Sequence, residues 1–187
     1  MSCVLVPLAP GFEELEAVTV IDLLRRARIQ VLVASLDGQR VAGSHGIEVT
    51  PDLGLDQALE RDLDMVVLPG GLPGADNLEA DARIMQLLRR MADSERFTAA
   101  ICAAPRVLAR AGVLDGKSAT SYTGFLDHLD IPGLTIQQAP VVRDGTVITS
   151  RGPGTAMDFA LALIEALAGG AIRLEVERGL LRSPASR

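Results

Sequence analysis

"FTAAICAAPRVLARAG", residues 97–112, holds the joint on which the fold turns. FTAAI (97–101) is a short apolar run that reads as a buried strand. Residues 103–111 read as a short helix closed by Gly112, with Pro105 in its first turn, where the missing N–H has no intrahelical partner to lose. A strand that passes straight into a helix through small residues is the corner of an α/β fold. Cys102 occupies that corner.

The same alternation extends in both directions. Residues 3–9, CVLVPLA, form an apolar run ended by Pro10 and Gly11, and 13–28 follow as a helix with Leu15, Val18, Ile21 and Leu24 on one stripe. IQVLVASL (29–36) is a second strand, and HGIEVTPD a short excursion with strand character. DMVVLPGG (64–71) is a strand stopped by Pro69 and two glycines, and residues 80–92 form a helix. Asp144-Gly145 between β-branched runs signals a hairpin. A long apolar helix then starts near Thr155, a candidate N-cap, and stops at Gly169, before a short final helix at about 170–180. This order predicts an α/β fold, a flavodoxin-like doubly wound, mostly parallel sheet with helices on both faces. In such sheets ligands sit beyond the carboxyl ends of the strands, so GFEELE, PGG and ICAA face one crevice.

The bulk numbers agree. The 187 residues match one domain (1–187), 48% are hydrophobic and only 3% aromatic, so small aliphatic side chains build the core. A net charge of −6 and no basic stripe argue against nucleic acid and against anionic membranes. The N-terminus has no secretory pattern, and no apolar run approaches the roughly 18 residues of a membrane span. Two cysteines make no disulfide framework, which points to free thiols in a reducing, cytoplasmic compartment. LLRSPASR (180–187) reads as a frayed tail.

Cys3 starts a strand without polar company and reads as a packing residue. Cys102 differs. Ala100-Ile101-Cys102-Ala103-Ala104 is the cysteine counterpart of a serine nucleophile elbow, where small neighbours avoid collision in a sharp turn. The following helix is expected to lower the thiol pKa. Neither histidine completes a triad: His128 lies in a polar stretch and His45 among turn residues. Glu13, Glu14 and Glu16 crowd the first turn of the first helix, and two of them suit a solvated helix N-terminus. Glu16 faces Thr19, Val20 and Leu23, so its pKa is expected to rise and its proton to be shared with the cysteine thiolate. Gly71 and Ala103 are expected to offer backbone N–H groups to an anion at the sulfur, with Gly70 close by.

GFEELEA (11–17), VVLPGG (66–71), AAICAAP (99–105) and TSRGPGTAMDFAL (149–161) stand in the order seen in the ThiJ/PfpI superfamily, and the chain resembles its Parkinson's-disease-protein-deglycase-like branch. The resemblance implies a homodimer with no metal and no cofactor. It matches the family's reactive cysteine to Cys102, its protonated glutamate to Glu16 and its sulfur-facing glycine to Gly71. It implies activity on methylglyoxal or on glyoxal adducts of proteins, thiols and nucleotides (glyoxalase III or deglycase type). Its alternatives are an oxidation sensor forming a cysteine sulfinate, a chaperone and, third, a cysteine peptidase or amidohydrolase. Where some relatives carry a histidine this chain has Tyr122, and where many carry an arginine it has His45. Arg26 and Arg151 match arginines of relatives. Arg151 is expected to hold the SRGPGT turn, and Arg26 to lie near the dimer-side rim.

Overall fold

The computed structural model describes residues 2–182. In chain order the elements are β1 (Cys3–Leu8), α1 (Glu14–Arg26), β2 (Gln30–Ser35), β3 (Val41–Ala42), β4 (Glu48–Val49), β5 (Leu53–Gly54), α2 (Leu55–Leu59), β6 (Met65–Leu68), α3 (Gly74–Ala80), α4 (Ala82–Asp93), β7 (Phe97–Ile101), α5 (Pro105–Arg110), β8 (Ser118–Ala119), β9 (Thr135–Ile136), β10 (Val141–Asp144), β11 (Val147–Ser150), α6 (Ala156–Ala168) and α7 (Gly170–Gly179). A 3-10 turn, Pro153–Thr155, leads into α6. The main sheet has seven strands in the order β10-β11-β7-β6-β1-β2-β5. All its pairings are parallel except the β10–β11 hairpin, which turns at Asp144 as expected.

Strand side chains alternate between faces, and this splits the interior into two layers. Leu5, Val66, Leu68 and Ala100 pack under α2 to α5, with Leu78, Leu87, Leu88 and Val107. Val4, Val6, Leu8, Val67, Ile101 and Ile148 pack under α1 and α6, with Val20, Leu24, Phe159 and Leu163. The strands are buried on both sides, which is why they read as unbroken apolar runs. The fold is α/β and flavodoxin-like, with helices on both faces.

Several local expectations change. The buried side of α1 is Glu14, Glu16, Ala17, Val20, Leu23 and Leu24, whereas Leu15 and Val18 are 53% and 48% exposed. Both stripes satisfy a helical period, and the helix is turned so that its acids face inward. Glu13 and Glu14, expected in solvent, are 9% and 3% exposed. Thr155 does not cap α6 through its side chain. Its hydroxyl is engaged by Ser150 and Gly152 instead. Gly169 ends α6 with φ of 85°, as a stop glycine should. Of the C-terminal tail, 183–187 lie outside the described residues. Arg182 is held, reaching Asp158 on α6 at 2.6 Å. Among the described residues no helix is long and apolar enough to cross a membrane.

Candidate functional site

β1, β6 and β7 lie side by side and end on the same edge of the sheet. Their following segments therefore meet, as the sequence suggests. β7 ends at Ile101 and Cys102 turns away with φ of +63°, a left-handed conformation costly for a residue with a Cβ. The corner is over-determined on both flanks. Cys102 N–H donates to Ser150 O at 3.0 Å, and Tyr122 N–H donates to Cys102 O at 2.9 Å. The residue is half-buried and packs against both core layers.

Glu16 reaches this corner from the first turn of α1. Its side chain is fully buried. Oε2 accepts from Gly70 N–H at 2.8 Å. Oε1 is sealed from solvent with no hydrogen-bond partner among the described residues; the Cys102 thiol acts on the carboxyl from close by. Burial pushes the Glu16 carboxyl up to about 7; the Gly70 N–H works against this, the charge of Glu13 adds to it, and the thiol eases it. The two glycines are steric requirements. A Cβ on Gly70 would stand 2.6 Å from the Cys102 Cβ and 2.8 Å from Glu16 Oε2. Gly71 has φ of +87°, and a Cβ there would meet Glu13 N at 2.4 Å.

The backbone N–H groups of Ala103 and Gly71 pull the thiol pKa down. They do not prevail. Burial, then the charge of Glu16 and its hydrogen bond, push the Cys102 thiol up to about 12. The expected lowering by the helix fails because α5 is a short helix that begins only at Pro105, while the sulfur sits beside a carboxyl in a dry corner. The pair thus loses its first proton near neutrality, from the carboxyl, and carries one negative charge with one proton between two atoms. Thiol with carboxylate, and thiolate with carboxylic acid, are the two tautomers of that state.

A second acidic cluster stands next to the first. Glu13 Oε2 caps α1 by accepting from Glu16 N–H at 2.7 Å. Glu14 accepts from His45 N–H at 2.6 Å, Ile47 N–H at 3.2 Å and Ser44 Oγ–H at 3.3 Å, and lies 2.9 Å from His45 Nδ1. These donors come from the β3–β4 hairpin, whose role no sequence pattern announces. Glu13, Glu14 and His45 could each offer a cation one atom, all within 4.8 Å. Both oxygens of Glu14 are already engaged, however, and the helix N-terminus opposes positive charge. His45 therefore touches Glu14 rather than the sulfur.

The remaining candidates divide. Tyr122 stands at the corner through its backbone, but the residue is 52% exposed, its ring edge-on to Phe125 at 6.3 Å. Its hydroxyl has no protein partner among the described residues. Arg151 follows Ser150, the acceptor for Cys102 N–H, and points Nη1 at Gln138 O at 3.5 Å. It does not hold the SRGPGT turn; the Ser150 and Thr155 hydroxyls, 2.7 Å apart, do. Arg26 lies at the far end of α1, paired with Asp22 at 2.8 Å. His128 is exposed, as read, and Cys3 is a buried packing residue. Arg106, which the sequence did not single out, lies over the Phe125 ring at 5.7 Å and pairs with Asp76 and Glu79.

With this geometry in place, residues 2–166 match the DJ-1/PfpI family. The chain belongs to the DJ-1/PfpI family. Protein dj-1beta of Drosophila melanogaster is 46% identical over 178 residues, covering 95% of each chain. Its crystal structure superposes with a TM-score of 0.93, at 45% identity over 98% of this chain and all of that one. The oxidized DJ-1 of Toxoplasma gondii gives a TM-score of 0.91 at 34% identity, covering 98% and 100%. A Caenorhabditis elegans family member, glutathione-independent glyoxalase DJR-1.2, is 35% identical over 157 residues, 84% of this chain and 83% of its own. The DJ-1/PfpI assignment thus rests on the length of the chain and not on the four motifs alone.

Proposed function

We propose that this DJ-1/PfpI protein is a cysteine-dependent enzyme acting on methylglyoxal or on glyoxal adducts. The observation that carries this reading is the fully buried Glu16 carboxyl, raised to about 7, against a sulfur flanked by the Gly71 and Ala103 amides. An inert packing cysteine needs neither a strained corner nor a buried acid. The glyoxalase name of the worm relative supports the same substrate class.

In this reading Cys102 Sγ adds to the aldehyde carbon while its proton passes to the Glu16 carboxylate. The carbonyl oxygen takes up negative charge facing the two amides and is then protonated, giving a hemithioacetal. Moving one proton from the aldehyde carbon to the neighbouring carbonyl carbon, relayed through Glu16, converts this adduct to a lactoyl thioester without an external oxidant. Water releases lactate and restores the thiol. The test gives purified protein and Cys102→Ser methylglyoxal and measures lactate with an independent enzyme. Turnover lost by at least a hundredfold in the variant is expected; lactate formed equally by both, or by neither, overturns the reading.

A second reading, oxidation sensing, is favoured by the partial exposure of Cys102 and by the free Glu16 Oε1, whose proton could bond a sulfinate oxygen. It predicts dose-dependent sulfinate by mass spectrometry without lactate. We also infer a homodimer. Leu15, Val18, Ile47 and Met157 are each 47% or more exposed. Ile47 is tethered beside α1 through Glu14, and Met157 opens α6, which packs along α1. Burying such side chains is worth about 1.5–3 kcal/mol each, which a second copy would recover. Sedimentation equilibrium checks this, with a monomeric mass against it. Both cysteines are free, which suits a reducing, cytoplasmic compartment.

A further inference from the structure

We propose that the cleft between Tyr122 and Arg151, walled by the segments that hydrogen-bond to the Cys102 backbone, is a subsite for a carboxylate, so that the preferred substrates are anionic adducts of α-oxoaldehydes. This rests on the enzyme reading for its chemistry but on separate residues for its binding. The cleft has a volume of about 360 Å³ and is bordered by Tyr122, Pro140, Arg151, Gly152 and Pro153. Methylglyoxal, a three-carbon molecule, would leave most of it empty.

Three observations make it a place for one negative charge. First, Arg151 is its only charged lining residue and pairs with no carboxylate among the described residues, in a chain of net charge −6. Among the described residues its guanidinium makes one hydrogen bond, the long one to Gln138 O at 3.5 Å. Second, the Tyr122 hydroxyl is an additional free donor, and its ring lies over Gly152, where a Cβ would meet Cδ2 at 3.3 Å. Third, the two chain segments that wall the cleft are the two that hydrogen-bond to the Cys102 backbone, at Ser150 and at Tyr122. The cleft wall is thereby tied to the backbone of the Cys102 corner.

A larger cleft, of about 470 Å³ near Asp37 and Arg83, lacks these features. Arg83 is already held by Asp81 and Asp56, and Arg40 by Glu48. A single guanidinium with a neutral hydroxyl matches a carboxylate, whereas a phosphate dianion calls for more positive charge.

The test uses binding, not turnover. The probes are 3-[(2-oxopropyl)thio]propionate and the matching propionamide, which lack the aldehyde and differ only in charge. Each is titrated calorimetrically into the full chain carrying Cys102→Ser, with amide shifts of Tyr122 and Gly152 followed by NMR. The carboxylate is expected to bind about tenfold more tightly than the amide, as for a charge-assisted hydrogen bond. Adding Arg151→Met removes that preference and leaves the affinity for the amide unchanged; Arg151→Lys keeps part of it. Should the Met variant unfold, Arg151→Gln replaces it. Equal affinity for the two probes, or a preference that survives loss of the guanidinium, overturns the subsite. A carboxylate preference in a protein that makes no lactate overturns the enzyme reading and leaves the subsite standing; lactate without the preference does the reverse.

Discussion

Glu14 and Glu16 lie two residues apart on one helix turn, both almost or wholly out of solvent, and their carboxyls titrate on opposite sides of the ordinary range. Burial raises Glu14, but hydrogen bonds from the His45 side chain, from its own amide and from the amides of His45 and Ile47 outweigh it and hold the carboxyl at about 2. Burial raises Glu16 too, and one N–H from Gly70 does not reverse it. The difference is the number of donors each pocket supplies. A carboxylate saturated by amides is a structural anion. A carboxyl left one partner short keeps its proton near neutrality and can exchange it with the sulfur at its side.

The largest break in this comparison comes from emptying the saturated pocket. Glu14→Ala leaves the amides of His45 and Ile47 and the Ser44 hydroxyl without their acceptor, and is expected to cost about 3 kcal/mol at pH 7. Urea denaturation measures it; a loss under 1 kcal/mol would mean water replaces the carboxylate. The sign with pH also follows. A depressed pKa contributes stability that is full above about 4.5 and lost as pH falls towards about 2. The variant should lack that part of the acid transition.

Glu16 has the opposite sign. Its folded pKa of about 7 lies above the ordinary 4.5, so stability falls as pH rises from about 4.5 to 7 and is level beyond. Glu16→Gln removes this slope and should stabilise the protein at pH 8 by on the order of 2 kcal/mol. The same substitution removes the charge that raises the thiol, so ultraviolet thiolate absorbance should titrate at lower pH than in the native chain. An unchanged curve would separate the two groups.

The smallest effect concerns His45. Its pKa is raised by the hydrogen bond and the charge of Glu14, with Glu13 adding to both. The stability it contributes is present below about 6.5 and is lost as pH rises through the higher folded value. Proton NMR should place its midpoint above the usual histidine range, and Glu14→Gln should return it towards that range.

The sequence makes the strand–corner–helix joints legible, because apolar runs ending in glycine or proline have few other uses. FTAAICAAP, VVLPGG and GFEELE declare the crevice and the cysteine within it. Glu16 is legible by its apolar neighbours along the helix. Glu14 is not: its donors lie 30 to 33 residues away on a hairpin of two-residue strands, too short to leave a periodic signal. The stripe of α1 misleads for a related reason. Leu15 and Val18 fit an inward face as well as Val20 and Leu24 do, and only contact with α6 decides. The thiol pKa depends on desolvation, a property of three dimensions that no local pattern carries.

Cys102 stands at the seam where the two hydrocarbon layers meet, with packed side chains behind it on either side of the sheet. Whatever becomes attached to its sulfur can grow only away from those layers, through the half-buried side that meets solvent. Bulk would be tolerated in proportion to how well it follows that exit, so a ladder of alkylating reagents of increasing length would trace the route like a depth gauge.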